Sequence, residues 1–86
     1  MKAIVMNGTG GREMLEYVER PDPVASSGEA LVEITLAGVN FMDIGVRQGI
    51  AWTEVPSPKI LGVEGVGRVL AVGDSVEGIE PGLRVA

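Results

Sequence analysis

Between residues 29 and 39 apolar and polar positions alternate in steps of two, with Ala30, Val32, Ile34 and Leu36 on one side and Leu31, Glu33, Thr35 and Ala37 on the other. That rhythm predicts a β-strand, because successive side chains of an extended chain point to opposite faces. Residues 2–7 form a short, mostly apolar run that stops at Asn7-Gly8-Thr9-Gly10-Gly11. Asn-Gly is a strong turn signal, so a strand followed by a hairpin turn is expected. Residues 13–20 fit two patterns. Met14, Leu15 and Val18 would line one helical face, while Leu15 and Tyr17 alternate with charges as in a strand. Pro21 and Pro23 end either element, and residues 22–28 read as a polar loop.

The period changes at residue 40. Residues 40–48 read as a short helix with Asn40 as N-cap, Asp43 near the positive end of the helix dipole, Arg47 in the last turn and Gly49 as the stop. Gly45 weakens that helix by about 1 kcal/mol relative to alanine. Residues 53–59 are expected as a loop stiffened by Pro56 and Pro58. The strand pattern resumes over 63–72, where Gly65 and Gly67 would let another chain or a ligand approach closely. Gly73-Asp74-Ser75 and Glu80-Pro81-Gly82 are turn signals, and residues 83–86 look like the opening of a further strand. No repeat, low-complexity segment or internal boundary interrupts the chain.

Composition narrows what such elements can build. A chain of 86 residues makes at most one small domain that buries about three-fifths of its unfolded surface. Tyr17, Phe41 and Trp52 are the only aromatics, so the interior must be aliphatic. The net charge of −5, with seven scattered basic residues, argues against a phosphate-coating nucleic-acid surface. No apolar run approaches the roughly 20 residues that span a bilayer, and the first residues are too soon polar for a signal peptide. A soluble, cytoplasmic protein is expected. With no cysteine and no histidine, thiolate nucleophiles, disulfides and the usual zinc constellations have no residues to use.

Glycine pairs suggest nucleotide loops but complete none. Gly8-Thr9-Gly10 follows a strand, yet Glu13 occupies the third glycine position of a dinucleotide fingerprint. Gly62, Gly65 and Gly67 have the wrong order for it and lack the Lys-Ser/Thr of a triphosphate loop. A hairpin turn and a bulged or tightly packed strand are the better readings.

Several segments taken together are more specific than any glycine pair. Residues 2–5, residues 29–34, Gly38-Val39-Asn40-Phe41-Met42-Asp43, Leu61-Gly62-Val63-Glu64-Gly65, residues 69–73 and Pro81-Gly82-Leu83-Arg84-Val85 occur in the order seen in quinone oxidoreductases. Nearly the whole chain resembles the N-terminal, GroES-like catalytic domain of a zinc-independent medium-chain dehydrogenase/reductase. The resemblance implies a mostly β fold, a partly open barrel with one or two short helices, and no Rossmann domain in this chain. Asn40 and Val63 stand where zinc-dependent relatives carry cysteine and histidine. Leu83 replaces the aspartate of the family's Pro-Gly-Asp-Arg-Val turn, and Gly45 and Ala51 occupy the region where several quinone oxidoreductases carry tyrosines.

The resemblance also implies a site. Asn40 would lie beside the nicotinamide end of NADPH and Asp43 would shape the same pocket, although both equally serve as plain helix-capping residues. Arg47 matches a family arginine and, with Asn40 and Glu64, would contact the cofactor, while it is also a favourable helix-end charge. Glu64 would either brace Arg47 or a backbone group near the pocket, or be an exposed strand residue; Trp52 would wall the substrate space or fill the core. The implied reaction is NAD(P)H-dependent reduction of a quinone or an activated C=C bond, with the cofactor held mainly by a Rossmann domain that this chain lacks. A stretch of 86 residues is then expected to be a portion of a longer enzyme and nearly inactive alone. The alternative is a non-enzymatic GroES-like co-chaperonin or binding module.

Overall fold

The computed structural model describes residues 1–50 and 58–86. Trp52 and Pro56, and most of the expected 53–59 loop, lie outside the described residues. The elements run β1 (Lys2–Met6), a 3-10 turn (Arg12–Met14), β2 (Leu15–Glu19), β3 (Ala30–Ala37), α1 (Phe41–Gln48), β4 (Lys59–Ile60), β5 (Gly65–Val72) and β6 (Arg84–Val85). The described residues are therefore mostly β with one short α-helix, within the one or two expected. It forms two compact units that interleave in sequence: Met1–Pro21 with Val39–Val63, and Asp22–Gly38 with Glu64–Ala86. No linker-like composition marks their limits, because each unit takes two separate stretches of chain.

In the first unit β1 is the centre of an antiparallel sheet ordered β2-β1-β4. β1 and β2 pair from Lys2 with Glu19 to Met6 with Leu15, so the glycine-rich stretch between them is the connection of a hairpin. The ambiguity over residues 13–20 resolves into both forms. A 3-10 turn takes Arg12–Met14, and the strand takes Leu15–Glu19. Inside the connection Gly11 N–H donates to the Glu13 carboxylate at 3.2 Å, so an acidic side chain of the chain itself occupies the loop. Val5 and Met6 are each 1% exposed. Neighbouring strand residues point to opposite faces, so β1 is covered on both sides here. Val46 of α1 completes this core at 2% exposure. Lys59 was expected in a loop, but it pairs with Met6 as part of β4.

In the second unit β5 lies between β3 and β6, again antiparallel. The simple two-face alternation expected for β3 does not survive pairing. The register slips between Leu31 and Val32 and again between Ile34 and Leu36, leaving Leu70 of β5 and Thr35 of β3 without opposite partners. Each such bulge inserts a residue and breaks the period of two. Thr35 fills its gap by donating its hydroxyl to the Val66 carbonyl at 3.2 Å, and Ile34 and Leu36 are exposed. The strand expected from residue 63 begins at Gly65. Its glycines serve the close approach read from the sequence, since a Cβ on Gly67 would overlap the Glu33 carbonyl oxygen of β3. The buried residues of β5 are Gly67 and Val69, the latter 2% exposed. At the sheet's end Gly28 N–H donates to Asp74 O at 2.7 Å and Gly73 N–H to Glu29 O at 2.8 Å, joining the 26–29 turn to the 73–75 turn.

Candidate functional site

The first unit carries Asn40, Asp43 and Arg47 on one short helix. α1 starts where the sequence places it because the chain is extended at Asn40 (φ −119°, ψ 158°), and it stops because Gly49 adopts the left-handed conformation (φ 79°). Asn40 and Asp43 are the residue pair of a capping box. Asn40 N–H donates to Asp43 Oδ2 at 2.8 Å, and Asp43 N–H donates to the Asn40 backbone carbonyl at 3.0 Å. Asp43 is only 9% exposed. The cap engages one carboxylate oxygen and leaves the rest of the pair unsatisfied: Asn40 Nδ2 and Asp43 Oδ1 are both buried without a hydrogen-bond partner. Their neighbours Val39 and Phe41 are 91% and 88% exposed. The start of α1 thus holds one unmatched donor and one unmatched acceptor, each buried.

Arg47, half-buried, is fixed at the other end of the helix by a reciprocal clasp. Its Nε donates to the Gly10 carbonyl at 3.1 Å, while Gly10 N–H donates to the Arg47 carbonyl at 2.8 Å. Thr9 packs against the helix stop, since a Cβ on Gly49 would come within 3.1 Å of Thr9 Cγ2. The glycine-rich connection that lacks a phosphate fingerprint therefore anchors α1. Sequence reasoning did not find Gly10 as the partner of Arg47, or Thr9 as the neighbour of the helix stop, because nothing local links positions so far apart. Replacing Arg47 with methionine removes the side-chain arm of the clasp and is expected to destabilise the chain by about 1.5–3 kcal/mol, the worth of a hydrogen bond from a charged group. Urea denaturation would measure it. Lysine should not restore the loss, because its ammonium cannot reproduce the Nε position. A wild-type midpoint in Arg47→Met would show that the backbone arm suffices.

Glu64 belongs to the second unit. It is exposed just before β5, and its side chain lies over the backbone of Gly38, where an added Cβ would overlap the carboxylate. That contact explains why Gly38 opens the Gly-Val-Asn stretch. Val63, 51% exposed, offers no donor atom, and the Asn40 amide is uncharged. Residues of this kind do not fit zinc at those two positions, and among the described residues no three His, Cys, Asp or Glu side chains group to hold a metal. Among the described residues, too, no helix is long and apolar enough to cross a membrane.

The alcohol dehydrogenase GroES-like domain family matches residues 26–86. The chain belongs to that family. Human synaptic vesicle membrane protein VAT-1 homolog-like is 39% identical over 85 residues, covering 99% of this chain and 20% of its own length; its crystal structure superposes with a TM-score of 0.93. Acryloyl-coenzyme A reductase of Metallosphaera sedula is 36% identical over 99% of this chain and 25% of its own. Escherichia coli quinone oxidoreductase complexed with NADPH is 33% identical, with a TM-score of 0.90 over 98% of this chain and 26% of that one. The GroES-like domain described here thus has oxidoreductases of the medium-chain dehydrogenase/reductase family as relatives, and it spans about a fifth to a quarter of their length.

Proposed function

We propose that this GroES-like domain is the catalytic-side portion of a zinc-independent NAD(P)H-dependent oxidoreductase that reduces quinones or activated C=C bonds. The observation that supports it most is the buried, unpartnered pair Asn40 Nδ2 and Asp43 Oδ1 at the start of α1. Buried polar atoms of native proteins are nearly always matched, so these two leave hydrogen-bonding capacity at the start of α1 that a polar ligand could use. The pair lies in the Asn-Phe-Met-Asp segment that resembles the nicotinamide-facing motif of quinone oxidoreductases. When bound, NADPH would supply the hydride. Asn40 and Asp43 orient the nicotinamide end, and the clasp of Arg47 with Gly10 keeps the helix that carries them from tilting. With neither histidine nor cysteine in the chain, an electron-poor acceptor is favoured over an alcohol that needs a Lewis acid. Solvent provides the proton that follows the hydride, since these residues offer no suited donor.

The pyrophosphate of the cofactor needs a nucleotide-binding βαβ unit, and among the described residues every strand pairing is antiparallel. The 86-residue chain alone should therefore show no NADPH-dependent quinone turnover. A chimera in which it replaces the matching segment of the Escherichia coli quinone oxidoreductase should show turnover. Activity of the isolated chain, or a folded chimera that binds NADPH yet reduces neither quinones nor enones, would contradict the proposal.

A further inference from the structure

We propose that Asn7 is a site of spontaneous deamidation, and that its conversion to aspartate loosens the loop that anchors α1. Asn7-Gly8 follows β1 directly, and asparagine is among the thermolabile residues. Deamidation begins when the following backbone nitrogen attacks the side-chain carbonyl carbon, so the residue after asparagine decides how easily the two atoms meet. Glycine has no Cβ to obstruct them. The fold also leaves the approach open. Asn7 is exposed, Gly8 has a positive φ of 112°, and among the described residues no hydrogen bond holds the Gly8 N–H. The amides around it are tied, Asn7 N–H to the Met14 carbonyl at 3.0 Å and Gly10 N–H to that of Arg47. A single bond restrains the Asn7 side chain, from Nδ2 to Glu16 Oε2 at 3.0 Å, between two exposed residues. The chain's other asparagine, Asn40, precedes Phe41 and has a buried Nδ2. It lacks both conditions.

In the first step Gly8 N bonds to Asn7 Cγ and gives up its proton, the Cγ–Nδ2 bond breaks, and Nδ2 leaves with that proton as ammonia. A cyclic imide remains, and water opens it on either side. Cleavage of the new Cγ–N bond restores the peptide and yields aspartate. Cleavage of the original bond, between the Asn7 carbonyl carbon and Gly8 N, leaves the chain running through Cγ as isoaspartate. Either product puts a carboxylate where the amide donated to Glu16, so an attraction across the hairpin becomes a repulsion of like charges. Isoaspartate also adds a methylene to the main chain, between the Asn7 N–H that Met14 accepts and the Gly10 groups that clasp Arg47. A change at Asn7 is thereby passed to the helix that carries Asn40 and Asp43.

The test ages the purified 86-residue chain at neutral and mildly alkaline pH, folded and in urea, and follows both asparagines by peptide mass spectrometry. In the folded chain Asn7 is expected to exchange NH for O at a rate approaching that of the unfolded chain, giving both aspartate and isoaspartate. The rate should rise with pH, because the attacking nitrogen must shed its proton. Asn40 should stay intact in the fold, and so should the side chain of Asn7→Gln, whose longer arm closes a ring far less readily. In NMR spectra of the aged chain and of Asn7→Asp, the Arg47 Nε–H should exchange with water about 2- to 10-fold faster than in fresh protein, the worth of one hydrogen bond. An Asn7 that survives in the folded chain, whether or not the unfolded chain converts, or an Asn40 that converts as fast, would overturn the site. Conversion that leaves the Arg47 Nε–H exchange unchanged would overturn its link to α1.

Discussion

Gly67→Ala is expected to cost about 3 kcal/mol or more and to leave the chain largely unfolded at modest urea concentrations. The reason lies in backbone, not side-chain, crowding. A Cβ at this buried position of β5 would overlap the Glu33 carbonyl oxygen and come within 2.8 Å of its carbon and 3.0 Å of Ile34 Cα. No rotamer can relieve that. β3 must separate from β5 where Ile34 pairs with Gly67, and β6 is held on the other side through Gly67 and Val85. A small domain has about 5–15 kcal/mol in total, so the loss is a large share. Two other glycines provide a scale. Gly65→Ala meets Leu36 O at 3.3 Å, where a small shift is enough, while Gly82→Ala meets nothing within 4 Å and suffers from its positive φ of 95°, worth about 1 kcal/mol. A Gly67→Ala midpoint close to that of Gly82→Ala would show that the two strands can part at little cost.

Asn40→Ala should lower quinone reduction by the chimera about 100-fold, the range seen when one preorganised hydrogen-bond donor is removed from a site. The same substitution removes a helix cap, worth about 0.5–2 kcal/mol of stability, so loss of activity alone would be ambiguous. Asn40→Asp separates the two contributions. It caps as well as asparagine but cannot donate where Nδ2 does, so its stability should match the parent while its activity falls with that of the alanine variant. An Asn40→Asp chimera with parental kcat and KM would assign Asn40 to the helix alone and remove it from the chemistry. Steady-state kinetics beside urea denaturation of both variants makes the comparison.

How much of this was legible in the sequence depends on how far apart the partners are. The helix was read from one turn of chain: Asn40 before it, Asp43 three residues on and Gly49 after it all act on backbone groups next to them, so residue types at fixed offsets carried the information. The turn after β1 was legible for the same reason, whereas β2 was not, because residues 13–20 fit a helical face as well as a strand. The path of β3 was only half legible. Its alternation marked a strand, but a bulge is a property of two strands, and no feature of Thr35 or Leu70 alone says that the opposite strand skips it. β4 is two residues long and exists because β1 has an edge to pair with; its own sequence holds no strand signal. In the site, residue identities came from resemblance and their capping role from spacing. The unpartnered atoms of Asn40 and Asp43 came from burial, which sequence does not show. The anchor of Arg47 lies beyond any local window.

The Gly10 amide has one further use. Its hydrogen bond to the Arg47 carbonyl joins positions 37 apart in the chain, whereas the backbone bonds within α1 and at its ends are local. Deuterium uptake at this single amide should therefore report undocking of the helix from the β1–β2 connection, independently of whether the helix itself is intact. If ligands at the Asn40 end steady the helix as a rigid rod, Gly10 at the far end should exchange more slowly in their presence, giving an optical-label-free gauge of site occupancy about two helical turns from the ligand.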